Sequence, residues 1–411
     1  MPGLAACRVV PRVGQCGPAH HPASRSRVGQ APHGSRDTAT VAETAHEVPV
    51  PPTSAPASPP RPHPVSQAPA DEGVPVVWAL VDGLVGSANQ TRGVIAALGL
   101  PAVECSLAYA HEWPWDRLRK HVVLTTETRA RLLAPGPAPR LVISCGRRAG
   151  AAARWIRTAL TARDGAAPRL LHVQDPRIGH ADFDVIAVPE HDRAVDGLRR
   201  RGNVMVILGA PHALTPARLV AAAARWRDSV AALPGPRLTV LVGGDSGRRR
   251  LDAGVAAALA RQACNLAARC GGSLLVTTSR RTRPDAVAAL RAGLAGVPHC
   301  LHAWTPDRDA NPYLGFLGLA DAVVVTGDSM SMLTEATTTG RPVYVFSPPG
   351  WARGPHARYH AALARAGAAR PLDGDTPWTV WTGPAVNPAE EIAAAARALL
   401  AADDPRHVYE S

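Results

Sequence analysis

Lysine is all but missing: Lys120 is the only one, and the rest of the cationic charge in this 411-residue chain is arginine. Aromatic residues make up only 4% of it, so a core has to be assembled from Ala, Leu and Val. That bias, with abundant Ala, Gly and Pro, reflects GC-rich coding as much as selection for polyanions. A net charge of +12 still suits phosphate-bearing partners. The arginines are scattered rather than striped with aromatics, which speaks against nucleic acid as a partner. The cysteines, Cys7, Cys16, Cys105, Cys145, Cys264, Cys270 and Cys300, are odd in number and form no CxxC pair. A disulfide framework and a zinc site are therefore disfavoured, and the thiols read as reduced core residues of a cytosolic protein. No apolar run reaches membrane-spanning length, and no basic region followed by an apolar core marks a secretory signal. Also absent are GxSxG, HExxH, a Walker loop and GxGxxG, which disfavours a serine hydrolase, a metalloprotease, a P-loop NTPase and a standard dinucleotide dehydrogenase.

What is present falls into three parts. Residues 1–72 are rich in Pro, Ser, Ala and His without apolar periodicity, so they bury too little to offset their ordering entropy and read as disordered. Residues 73–234 alternate short β-rich runs ("VVWALVD", "RLVISCG", "FDVIAVPEHD") with Ala-rich helical stretches. After the break "LPGPR" the pattern restarts over 235–411 with "LTVLVGGDSG", "SLLVTTSRR" and "ADAVVVTGDS", and ends in a capped helix begun by Asn387 and Pro388. Continuous apolar strands between helices imply parallel sheets covered on both faces. The expected architecture is α/β, with two Rossmann-like domains facing across a cleft.

Ligands of open α/β sheets bind beyond the carboxyl ends of the strands, and the unusual residues of both halves cluster there. "VTTSRR" could direct the hydroxyls of Thr278 and Ser279 and the Arg280 guanidinium at a phosphate, or it could be a polar turn with solvated arginines. "GDSMSMLTEATTTGRP" makes Ser329 an N-cap ahead of Met330. Glu335 then stands in the second turn, within reach of ribose hydroxyls or simply exposed. Gly243 and Gly244 permit close backbone approach, but Asp245 and Asp328 beside them would repel a diphosphate unless Arg248, Arg280, Arg281 or a metal neutralised them. In the first half, Asp82, Gly83, Gly86, Asn89 and Gln90 follow the first strand. Their amides could bond sugar or phosphate, or cap a helix. Asp175, Arg177, His191, Asp192 and His212 follow later strands, and His191, Asp192, His212 and Asp175 are acid/base candidates as well as strand-end structural residues.

The segments "DGLVGSANQTRGVIAALG", "ISCGRRAG", "QDPRIGHADFDVIAVPEHD", "LGAPHALTP", "VGGDSG", "TTSRRT" and "VTGDSMSMLTEATTTGRPVYVF" stand in one order between about Val76 and Phe346. Together they resemble the mitochondrial fission factor family of the elongated-mitochondria type and its bacterial homologues. One departure is Ser87 and Ala88, where the family pattern has a histidine and then an acidic residue. Plant members of that family resemble adaptors for a dynamin-like GTPase. The family is also similar to two-domain glycosyltransferases of GT-B architecture, including lipid-intermediate N-acetylglucosaminyltransferases.

That similarity implies a donor side built from Glu335, Ser329, Met330, Thr278, Ser279, Arg280 and Gly244. It implies an acceptor side built from Gly83, Gly86, Asn89, Gln90, Asp175, Arg177 and His212, with His191, Asp192 or Asp82 as base for the acceptor hydroxyl. The expected partners are a nucleotide sugar and an acceptor, lipid-linked if it is met at the inner membrane surface; the expected location is cytoplasmic. No cofactor is expected, the nucleotide sugar being substrate, and a divalent metal stays open. The alternatives are a scaffold that keeps the fold without catalysis, and a nucleotide-sugar epimerase.

Overall fold

The computed structural model describes residues 77–110, 123–247, 249–307 and 309–402, preceded by two short strands, β1 (Ala6–Arg8) and β2 (His46–Glu47). The rest of segment 1–72, along with Lys120 and Arg248, lies outside the described residues.

The first sheet consists of β3 (Val77–Val81), β4 (Ala102–Ser106), β5 (Leu141–Cys145), β6 (Arg169–Val173), β7 (Val185–Pro189) and β8 (Val204–Ile207). All pairs are parallel, in the order β4-β3-β5-β6-β7-β8. Every residue of β5 is buried, as a strand covered by helices on both faces must be. Those helices are α1 (Val85–Leu98), α2 (Thr126–Leu132), α3 (Arg147–Asp164) and α4 (Val195–Leu198).

Next come α5 (Pro216–Trp226), β9 (Arg237–Val242), α6 (Ala253–Cys270), β10 (Ser273–Thr278), α7 (Pro284–Gly293), β11 (His299–His302) and α8 (Tyr313–Gly318). The chain continues through β12 (Ala322–Thr326), α9 (Met330–Thr337), β13 (Val343–Phe346), α10 (Pro355–Arg365), β14 (Arg370–Leu372) and α11 (Ala389–Ala402). The second sheet runs β14-β13-β12-β9-β10-β11 in parallel, with β1 and β2 added antiparallel at the β11 edge.

Both orders reverse direction once. In the first sheet the chain moves outward from β3 to β4 and then returns to β5 on the other side. In the second it moves from β9 through β10 to β11 and then crosses to β12. The switch points therefore lie between β3 and β5, and between β9 and β12, where a crevice opens beyond the strand ends.

The boundary expected at 234/235 shifts once packing is considered. Trp226, Val230 and Leu233 share a core cluster with Leu275, Cys300 and Phe316, so α5 belongs to the second domain. Conversely, Ile392, Ala393, Ala396 and Leu400 of α11 pack with Val77, Val94, Ile143 and Leu171, so the last helix closes the first domain. The chain thus crosses between domains twice, near His212 and near Asn387. The two crossings are tied together: Asn387 Nδ2 donates to the His212 carbonyl at 2.9 Å, and the His212 amide donates to Asn387 Oδ1 at 3.2 Å.

Candidate functional site

At the switch point of the second sheet everything turns on Asp328. Its side chain is fully buried. It accepts from the Gly244 amide at 3.0 Å, the Thr326 hydroxyl at 2.7 Å and Arg281 Nη2 at 2.8 Å. The carboxylate expected to repel an anion is therefore already neutralised, by Arg281. Asp245 is likewise taken, by Arg250 at 2.7 Å and the Leu251 amide at 2.9 Å. A Cβ on Gly243 would fall 2.3 Å from the Asp328 carboxylate, and one on Gly244 would fall 2.2 Å from the Arg281 backbone. These glycines let three loops close on one another, and contact with a ligand is not needed to explain them.

The expected phosphate cradle "TTSRR" is largely spent on itself. Thr278 Oγ1 accepts from the Trp304 amide at 2.8 Å, and the Ser279 hydroxyl donates to the Gly243 carbonyl at 2.7 Å. Contacts with the segments after β11 and β9 take up those hydroxyls, and Arg280 is left as the exposed group there. Ser329 does cap α9, accepting from the Met332 amide at 3.4 Å. Met330 packs against the apolar cluster under α9. Glu335 is half-buried and accepts a hydrogen bond on Oε2 from the Tyr313 hydroxyl. Burial pushes its carboxyl above the ordinary range, with the Tyr313 bond opposing, and burial likewise raises the Tyr313 phenol. Tyr313 went unnoticed in the sequence because nothing local links it to a residue on the next helix.

The first sheet's switch point is more open. Asp82 is half-buried, and its Oδ1 accepts from the Leu84 amide at 3.2 Å. Burial raises its carboxyl, opposed by that backbone bond and by the Arg148 charge. Gly83 has φ +77, the left-handed value that the turn into α1 requires. Gly86 and Asn89 are exposed, whereas Gln90 is buried. Leu84 and Val85 are 60% and 59% exposed. Ser87, standing where the family pattern has histidine, lies beside Gly146 at the head of α3, its Oγ 3.2 Å from where a Cβ there would be.

The remaining first-domain candidates are held by the fold. Asp175 is buried and bonds the Arg177 amide at 2.8 Å and His180 Nε2 at 2.9 Å, with Arg177 Nη1 at 3.2 Å. Arg177 itself is half-exposed. His212 is the interdomain clasp described above: its Nδ1 accepts from the Leu214 amide, and burial lowers it to about 4. His212, expected on the acceptor side, lies where both crossings of the chain close around it. Asp192 Oδ1 accepts from the Ala194 amide at 3.0 Å. His191 is buried against Tyr359 of α10, ring centroids 4.8 Å apart, and burial lowers it to about 4.

These last residues show where the domains meet. Arg358 of α10 donates to the His191 carbonyl at 2.6 Å, and Arg365 pairs with Glu190 at 2.7 Å. The Tyr359 hydroxyl lies 2.6 Å from the Thr334 hydroxyl on α9, next to Glu335. His191 and the Glu335 helix are therefore joined through Tyr359, where the two domains form one wall. The 82–90 segment joins that wall through α1, where a Cβ on Gly93 would meet the His212 backbone at 2.6 Å. Among the described residues, no group of three or more His, Cys, Asp or Glu could hold a metal, and no helix is long and apolar enough to cross a membrane.

The family described as Mitochondrial fission ELM1 matches residues 85–400. "Mitochondrial fission protein ELM1" of Arabidopsis thaliana is 30% identical over 283 residues, 64% of this chain and 64% of that protein. The alignment thus spans less than two thirds of the plant relative. A protein of Rickettsia prowazekii (strain Madrid E) called RP120 is 21% identical over 306 residues, 67% of this chain and 84% of that protein. Among solved structures, Methanocaldococcus jannaschii UDP-GlcNAc 2-epimerase in complex with UDP-GlcNAc and UDP has a TM-score of 0.43 at 11% identity. That match covers 80% of this chain and 99% of the epimerase.

Proposed function

The chain belongs to the mitochondrial fission ELM1 family, and on that premise we propose that it binds a nucleotide sugar in a GT-B-like cleft. One observation carries the reading. The carboxyl-end loops of the first sheet, at His191 and Gly209, meet α9 and α10, which leave the carboxyl ends of the second sheet. Open parallel sheets bind ligands at such ends, and here both sets come together at the domain boundary, which supports a ligand-binding gap there.

Within that gap α9 begins at the second switch point, where its amides favour an anion. Arg281 has removed the opposing charge of Asp328, and Arg280 is available. Glu335, five residues into α9, has one carboxylate oxygen fixed by Tyr313, leaving the other for a ribose hydroxyl. The nucleoside diphosphate belongs on this side and the acceptor on the Asp82–Asn89 side. If the protein is a glycosyltransferase, departing diphosphate is stabilised by arginine and helix amides, and Asp82 is the remaining base because its carboxyl is raised by burial.

Thermal shift of the full chain with UDP-, GDP- and ADP-sugars tests the reading. A nucleotide at a hundred times its Kd stabilises by about 2.7 kcal/mol, and Glu335→Ala should remove the shift. No shift with any nucleotide sugar would sink it.

A second reading, a scaffold without catalysis, is favoured by Ser87 and Ala88 and by the structural engagement of His191, Asp192 and His212. It expects nucleotide binding without turnover, or none. A nucleotide-sugar epimerase would use the same donor side.

A further inference from the structure

The N-terminus of α10 lies where the domains meet and gathers arginine side chains from both of them. Gly354 caps it at φ +55 without a side-chain bond, and its first turn contains no acid. The first intrahelical bond runs from the Arg358 amide to the Gly354 carbonyl, which leaves the His356 and Ala357 amides without partners inside the helix. From the first domain Arg193 reaches over this end, its Nη2 3.5 Å from where a Cβ on Gly354 would stand. From the second, Arg249 Nη2 lies 3.0 Å from His356 Nε2. That nitrogen is also 3.2 Å from the Asp328 carbonyl. Arg249 Nε is buried and has no partner.

A second observation comes from the opposite wall. His191 is 8% exposed and its Nδ1 has no partner; burial lowers it, Asp192 opposes, and His356 and Arg358 add to the lowering. The nearby acids are already used: Asp328 by Arg281, Glu190 by Arg365, and Asp192 by the Ala194 amide with Arg177 at 3.9 Å. Among the described residues neither Arg193 nor Arg249 has an acid partner. Arg193 is exposed, but Arg249 is partly buried with its Nε unpartnered, and a bound anion would relieve that partly desolvated charge.

We infer that His191, Arg193, Arg249, His356 and the α10 N-terminus form an anion subsite for a carboxylate or phosphate on a ligand between the domains. It adjoins the α9 end, where the nucleotide reading puts the diphosphate, since His356 lies against the Asp328 carbonyl just ahead of the Ser329 cap. The inference rests on that reading only for what carries the anion: the transferred sugar or the acceptor.

Calorimetry on the full chain with inorganic phosphate, UDP-glucose and UDP-glucuronate tests it. Phosphate should bind, and Arg249→Gln and His356→Gln should each weaken it about tenfold. UDP-glucuronate binding about tenfold tighter than UDP-glucose, an advantage lost in both variants, would place a carboxylate on the sugar. Equal affinity of the two, with phosphate still bound, would place a phosphate on the acceptor. Absence of phosphate binding by the folded wild type, or binding unchanged in both variants, overturns the inference. Nucleotide binding alone would then leave the nucleotide reading standing, whereas phosphate binding without nucleotide binding would remove that reading and keep the subsite.

Discussion

The two switch points occupy equivalent places in their sheets and are built in opposite ways. The second is closed: glycines, hydroxyls and Arg281 all converge on the buried Asp328, and its loops hold one another. The first is open: α1 starts without a side-chain cap, and the leucine and valine at its head stand in solvent. A rigid rim suits a ligand that recurs unchanged, as a nucleotide would. An open rim leaves room for a partner that brings its own apolar surface. Polar residues at strand ends thus mean different things on the two sides, scaffold on one and surface on the other.

The contrast is sharpest at the acids. Asp328→Ala should cost about 3–5 kcal/mol, because Arg281 and the Gly244 amide lose their partner inside the protein. Asp82→Ala should cost under about 1 kcal/mol. Urea unfolding of both variants checks this, and equal costs would break the comparison.

The clasp between domains comes next. Asn387→Ala removes both bonds to the His212 backbone and should cost about 2 kcal/mol, read by the same unfolding curves. Solution scattering of that variant should show a more extended particle if the clasp sets the domain angle.

Acid should loosen the same region. His191, His212 and His360 are lowered from 6.5 to about 4 by burial, so the unfolded chain takes up protons first as pH falls. Their contribution is complete above pH 6.5 and is lost between there and pH 4, at about 1.4 kcal/mol per pH unit for each histidine. His212→Gln should flatten the slope by one such share; an unchanged slope would show that the ring stays neutral for another reason.

The smallest effect is expected at the open rim. Leu84→Ser and Val85→Ser should change stability by no more than about 0.5 kcal/mol. A larger loss would mean that this rim packs against something the fold supplies.

Much of this fold is legible in the chain. Alternating apolar runs and Ala-rich helices announce two parallel sheets, and Ser329 is a recognisable cap. The candidate site is less so. Thr278 and Ser279 have the chemistry of a phosphate cradle, yet the neighbouring loop takes their hydroxyls. His212 has the look of a base and turns out to hold two strands of chain together. Tyr313, which fixes Glu335, carries no local mark.

What the sequence determined by itself is therefore the kind and order of the elements, because helix and strand periods are written in neighbouring residues. What only the tertiary structure decided is which groups remain unspent. α11 shows the same division: its apolar face is plain in the sequence, but the core it completes belongs to the other end of the chain. A hydroxyl or carboxylate is available to a ligand only if no distant backbone reaches it first, and that approach is settled by packing.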